Sequence, residues 1–134
     1  VNDNKFRGKT ENGEWKRGLL TFMFGQYAIV NPIDENSVYL IDKETAGQFT
    51  KIKGTGGREI YDGDIIRLRE RTVNGTELTH ICRVYQKGNG MWMTEGHPEH
   101  DRKYRTRLSL YPYRHEAEVI GNAYDNPELL EVCL

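Results

Sequence analysis

Asn74-Gly75 stands between two runs rich in β-branched and long apolar side chains, residues 65–73 and 76–86. An Asn-Gly pair tolerates φ > 0 at both central positions of a two-residue loop, so it predicts a tight antiparallel hairpin. With two loop residues, Leu68 faces Ile81 and Ile66 faces Arg83, while Arg67, Arg69 and Arg71 stand opposite Cys82, His80 and Leu78 on the other side. The in-out alternation is imperfect, which predicts a bulge. The dipeptide recurs at Asn12-Gly13, between residues 5–9 and 15–20, and Gly88-Asn89-Gly90 marks a further turn. Short runs punctuated in this way, with 14 glycines and scarcely any sustained helical period, point to a small, mostly β domain.

The remaining segments follow the same grammar. Residues 19–24 are mostly apolar and are expected to be buried; residues 26–30 form a strand that Asn31-Pro32 breaks, because proline lacks the ladder donor. Residues 37–41 are the next strand. Asp42 then reads as the N-cap of a short turn over residues 43–46, closed by Gly47 in the left-handed region. Residues 53–57 are a glycine-rich loop, residues 95–102 a polar, exposed loop, and residues 106–113 and 116–121 further strands. Asn126 caps a final turn, with Pro127 at its first helical position and Glu128 suited to the dipole.

Length and charge narrow the possibilities. With 134 residues the chain reads as one domain, residues 1–134. A net charge of −1 with 29% charged residues excludes a globally basic or acidic protein, so any nucleic-acid surface has to be a local patch. Two cysteines make no disulfide framework; Cys82 and Cys133 read as reduced thiols, the first buried and the second exposed. No apolar run approaches the ~20 residues that span a bilayer, so no membrane partner is expected. The first five residues, Val1-Asn-Asp-Asn-Lys5, are mostly polar and lack the apolar centre of a signal peptide.

Four blocks succeed one another along the chain. The first is Lys5-Phe-Arg-Gly-Lys9 with Asn12-Gly-Glu-Trp15 and Gly18; the second is Thr45-Ala-Gly-Gln-Phe-Thr50. The third is Glu59-Ile-Tyr-Asp-Gly-Asp-Ile65, and the fourth is Val119-Ile-Gly-Asn-Ala-Tyr-Asp-Asn-Pro-Glu-Leu-Leu-Glu131. In this order they resemble the YopX family of phage and prophage proteins. The resemblance implies a small, partly open, SH3-like β-barrel with appended hairpins and short helical turns, and a place in the cytoplasm of a bacterial host. It implies no activity. The chain departs from the family pattern after Thr50: Lys51 stands where the family usually has glycine, and Lys53-Gly-Thr-Gly-Gly57 replaces a more acidic loop.

Several clusters carry candidate chemistry beside a plain structural role. Glu59, Asp62 and Asp64 are hard-cation ligands by type, as in magnesium sites built on one or two carboxylates. Gly63 between the two aspartates favours a corner, with φ > 0 at Gly63 and the aspartates bonding nearby amides. His97 and His100, with Glu95, Glu99 and Asp101, are the best metal suspects, but zinc needs three or four converging ligands and a third would have to come from His80 or His115. Neither Ser37 nor Ser109 sits in a nucleophile elbow, and residues 54–57 lack the Gly-Lys-Ser/Thr ending of a phosphate loop.

One stretch pairs cations with aromatics. Arg102-Lys-Tyr-Arg-Thr-Arg107 supplies groups that neutralise phosphates and a tyrosine that stacks on bases, with Tyr111, Tyr113 and Arg114 beyond it; Arg67, Arg69 and Arg71 extend the patch if one strand face carries them. The expectation is a non-enzymatic accessory protein that engages a protein partner or itself through edge strands and Trp15, Tyr61, Trp92 and Tyr104, with no cofactor, metal or small-molecule substrate. The alternative is a nucleic-acid-binding barrel that uses Arg67, Arg69, Arg102, Lys103, Tyr104, Arg105 and Arg107.

Overall fold

The computed structural model describes residues 5–31, 33 and 37–131. Its strands are β1 (Phe6–Lys9), β2 (Trp15–Met23), β3 (Gln26–Val30), β4 (Val38–Leu40), β5 (Asp42–Lys53), β6 (Glu59–Tyr61), β7 (Asp64–Arg71), β8 (Glu77–Gln86), β9 (Trp92–Pro98), β10 (Thr106–Ser109) and β11 (Ala117–Asn122). Short 3-10 turns occupy Thr55–Gly57, Tyr111–Glu116 and Pro127–Leu130. The mostly β class with a few helical turns is as expected. The strands form two antiparallel sheets, ordered β4-β3-β2-β1-β5-β6 and β10-β9-β8-β7-β11, with no closed barrel. The chain separates into two compact units, residues 1–49 and 50–134. Pro32 and Cys133, which figured in the sequence reading, lie outside the described residues.

Three hairpins share one turn. Thr10, Thr72 and Lys87 donate their N–H groups to the carbonyls of Glu14, Thr76 and Met91 at 2.9, 2.8 and 2.8 Å. In return Gly13, Gly75 and Gly90 each donate to the carbonyl three residues back, at 2.9 Å. These glycines have φ of 83, 81 and 89°, and Phe24 and Lys51 are the only other side-chain-bearing or non-glycine positions at positive φ among the described residues. Each turn is therefore a type I turn followed by a left-handed glycine, with three loop residues instead of two. The extra residue moves the β7–β8 register by one: Ile66 faces Cys82, Arg67 faces Ile81 and Leu68 faces His80, which corrects the pairing expected from a two-residue loop. Phe24-Gly25, between the paired residues Met23 and Gln26, is a two-residue hairpin loop with both φ values positive, at 53 and 76°.

In the first unit, residues 19–24 are not buried as their composition suggests. Phe22 and Phe24 are 62 and 89% exposed, and the buried members of the β2–β3 hairpin are Gly18, Ala28 and Ile29. The turn expected at residues 43–46 is instead a bulge within β5. Arg7 pairs with Gly47 while Lys9 pairs with Asp42, so β5 carries extra residues between them. Asp42 does cap locally, its Oδ1 accepting the Glu44 N–H at 3.1 Å. Thr45 closes the gap, accepting the Lys9 N–H at 2.8 Å and donating its hydroxyl to the Asp42 carbonyl at 2.6 Å. Gly47 has no left-handed φ.

The second unit holds the main core. Ile52, Ile60, Ile66, Leu68, Cys82, Val84, Leu110, Ala117 and Val119 form one cluster, with Trp92, Leu108 and Tyr113 packed against it. Cys82 is buried, as expected. The third block is a corner. Gly63 has φ of 88°, donates to the Val84 carbonyl at 2.9 Å and accepts the Ala123 N–H at 2.8 Å. Asp64, 1% exposed, accepts the Tyr61 N–H at 2.7 Å. The fourth block is a clasp: Asn126 Oδ1 accepts the Asn122 N–H at 3.2 Å, and Asn122 Oδ1 accepts the N–H groups of Tyr124 and Asp125 at 3.0 and 2.9 Å. Asn126 thus precedes the last 3-10 turn but spends its side chain backwards, on Asn122 and not on that turn.

Candidate nucleic-acid interface

Successive strand residues point to opposite faces. With the shifted register, Ile66, Leu68, Cys82 and Val84 face the core, and Arg67, Arg69, Arg83 and Tyr85 share the other face. Pairing carries that face onward: Arg83 stands opposite Glu95, Ile81 opposite His97, and Arg107 opposite Glu95 from the far side. The arginines that alternate along β7 are thus joined by cations from β8 and β10.

A cleft of about 460 Å3 opens on this surface, lined by Arg83, Tyr85, His97, Lys103, Tyr104 and Leu130 together with Arg102, Arg105, Glu95 and Gly96. Its wall is held by side chains. Arg102 Nη2 donates to the Glu128 carbonyl at 2.9 Å, and His97 Nε2 lies 3.3 Å from the Leu129 carbonyl, which ties the Pro127–Leu130 turn to the cleft. The other ring nitrogen of His97 lies 2.8 Å from the Pro98 carbonyl. Arg102 Nε is buried and makes no hydrogen bond among the described residues.

The cations differ in how they are neutralised. Arg105 and Arg107 share Glu95, Arg105 through Nη1 on Oε1 and Arg107 through Nε at 3.6 Å from Oε2. Arg67 sits between Glu118 at 3.1 Å and Glu99 at 3.6 Å, and Arg71 pairs with Glu77 at 3.2 Å. Among the described residues, Arg69, Arg83, Arg102 and Lys103 have no carboxylate partner. Three of those four line the cleft beside Tyr85 and Tyr104, the latter 65% exposed.

Of the basic and aromatic residues singled out from the sequence, Arg102, Lys103, Tyr104 and Arg105 come together at the cleft. Arg107 adjoins them through Glu95, while Arg67 and Arg69 share the sheet face outside the lining. Arg83 and Tyr85 were missed, and His97 was singled out as a metal suspect and not for this cleft. Their parity with Arg67 was readable only with a three-residue loop at Asn74-Gly75.

Other sequence suspects are reassigned. Residues 95–98 are not loop but the end of β9, and His97 is buried while His100 is exposed. Among the described residues no three His, Cys, Asp or Glu side chains converge on a point. Tyr61 is no docking surface: it is 1% exposed and its hydroxyl donates to Glu59 at 3.0 Å. Trp15 and Trp92 are half-buried, with the Arg7 guanidinium 4.8 Å from the Trp15 ring centre.

Comparison with curated proteins finds no match. A family model described as YopX protein covers residues 5–131, the span from the first to the last residue of the four blocks, and the chain accordingly belongs to the YopX family.

Proposed function

We propose that the chain is a non-enzymatic accessory protein of phage or prophage origin, working in the host cytoplasm, whose basic cleft binds nucleic acid. One observation carries the reading: Arg83, Arg102 and Lys103 border a single cleft without carboxylate partners among the described residues, and Tyr85 and Tyr104 share that cleft. Unneutralised cations exchange counterions for phosphates, and aromatic faces stack on unpaired bases. The test is a titration of labelled single-stranded and duplex DNA and RNA at stepped salt. Binding that weakens with salt, and is lost when Arg83 and Lys103 are both replaced by glutamate, supports the reading. A flat response at low salt removes it.

A second reading, a protein-interaction module, rests on a different observation. Phe24 is 89% exposed at the tip of the β2–β3 hairpin, with φ of 53°, beside an edge-to-face pair of Phe22 and Tyr27 whose ring centres are 5.2 Å apart. A bulky residue in the left-handed region carries strain, and exposed aromatic anchors are typical of interface centres. Capture of partners from prophage-carrying cells, with nuclease treatment in parallel, separates the two. Partners that survive nuclease but vanish with Phe24→Ser favour the hairpin.

A further inference from the structure

Beside the basic cleft, and sharing Tyr104 and Arg105 with it, lies a second cavity of about 470 Å3. Leu78, Pro98 and Leu108 give it apolar walls, and Glu70, His80, His100, Asp101, Thr106 and Arg107 line it with polar groups. Apolar walls bury a small ligand's surface while convergent polar groups fix its orientation.

The polar groups form one chain. His80 is buried, with Nδ1 3.1 Å from Thr106 Oγ1 and Nε2 3.1 Å from Glu70 Oε1. Tyr113 donates its hydroxyl towards Glu70 Oε2 at 3.5 Å. A carboxylate only accepts, so His80 donates Nε2–H to Glu70, and in that neutral tautomer Nδ1 accepts a hydrogen bond from the Thr106 hydroxyl. Strand pairing explains how the groups meet. Leu68 pairs with His80, which puts Glu70 one diagonal step away. Thr106 reaches across β9 at Gly96, which has no side chain. The Glu70 side chain is 27% exposed, so a carboxylate fixed on two sides still has lone pairs free for a ligand.

We propose that this cavity reads a base, selecting guanine in single-stranded nucleic acid, with the Glu70 carboxylate accepting the adjacent N1–H and N2–H groups of the guanine edge. The inference rests on the nucleic-acid reading of the cleft. Guanine alone among the four bases offers two neighbouring donors on its pairing edge that match the two oxygens of a carboxylate; adenine and cytosine offer one amino group beside an acceptor, which the carboxylate repels. Reading the pairing edge of a splayed base is how proteins recognise single strands. The shared rim places the base in the cavity and the neighbouring phosphates in the cleft, with Tyr104 and Arg105 at the junction.

The experiment compares labelled oligouridine strands that carry one central guanosine, inosine, adenosine or cytidine, bound to the whole chain at fixed salt. The guanosine strand is expected to bind tighter than the adenosine and cytidine strands by on the order of tenfold, as one paired-donor contact implies. Inosine, which lacks the N2 amino group, is expected between them. Glu70→Gln is expected to erase the guanosine preference, read as the ratio of guanosine-strand to adenosine-strand affinity within that variant. The nucleoside series uses the unaltered protein, so it stands even if Glu70→Gln loosens His80. Equal affinity for all four strands, or a guanosine preference that persists in Glu70→Gln, overturns the inference and leaves the cleft reading intact. Failure of every strand to bind overturns both.

Discussion

Lys51 holds φ of 66° within β5, a conformation that favours glycine. Its neighbour Thr50 supports the irregular backbone, its hydroxyl bonding the Ile60 carbonyl at 2.8 Å and accepting the Ile52 N–H at 3.0 Å. A left-handed conformation costs a side-chain-bearing residue about 1–2 kcal/mol, and glycine gives back part of that through unfolded-state entropy. Lys51→Gly is therefore expected to stabilise the protein by about 0.5–1 kcal/mol, read as a higher urea midpoint with an unchanged slope. Cys82 shows a different residue-level constraint. Burial pushes its thiol up from 9.0 to about 12, against a smaller downward pull from the Thr94 hydroxyl. The unfolded thiol ionises near 9.0 and the folded one only near 12, so across that window the unfolded chain holds fewer protons and stability falls as pH rises. Below pH 9 the contribution is constant. Tyr113, raised from 10.0 by burial and by Glu70, adds to the loss at higher pH. Denaturation series at pH 8 and pH 10 check this. Cys82→Ala is expected to flatten the loss, each group accounting for at most about 1.4 kcal/mol per pH unit.

At the level of elements, the glycines divide into two kinds. A Cβ at Gly75 would meet nothing within 4 Å, so Gly75→Ala is expected to cost only its conformational strain, about 1 kcal/mol. A Cβ at Gly54 would lie 2.3 Å from the Ala117 carbonyl oxygen, a backbone atom that cannot step aside. Gly54→Ala is expected to lower the thermal midpoint clearly further than Gly75→Ala, and calorimetry on the pair checks the order. The same glycines mark what the sequence made legible. Asn12-Gly13, Asn74-Gly75 and Gly88-Asn89-Gly90 placed three turns correctly, because a left-handed glycine is a local demand. The register did not follow, because Asn-Gly serves a two-residue loop and a three-residue loop equally well, and only cross-strand packing chooses. Asp42 misled for a related reason: an aspartate that caps its own second amide looks the same ahead of a helical turn or a strand bulge. The corner at Asp64 was legible because Gly63 lies beside it.

For the molecule as a whole, a net charge of −1 means that attraction for a polyanion has to come from a local patch such as the cleft face. Half of that face was readable in advance. Residues 102–107 are contiguous, so their basic and aromatic character shows in the sequence, whereas Arg83, Tyr85 and His97 arrive from β8 and β9 by strand pairing, and nothing local announces them. Ion pairing also sorts cations that composition counts alike: Glu95 holds Arg105 and Arg107, and Glu99 and Glu118 hold Arg67. Among the described residues the cleft cations without such partners are Arg83, Arg102 and Lys103, and in the proposed nucleic-acid reading this count sets the salt dependence. Each phosphate neutralised on a single strand contributes about −0.7 to the slope of log K against log salt, so three contacts give a slope of about −2. Lys103→Gln is expected to reduce its magnitude by about 0.7. Arg107→Gln frees Glu95 of one partner and leaves Arg105 its own, so it is expected to weaken binding with little change in slope. A slope that instead tracks every arginine of the face equally would mean that the carboxylate partners release their cations on binding, and that the cleft is not where the phosphates sit.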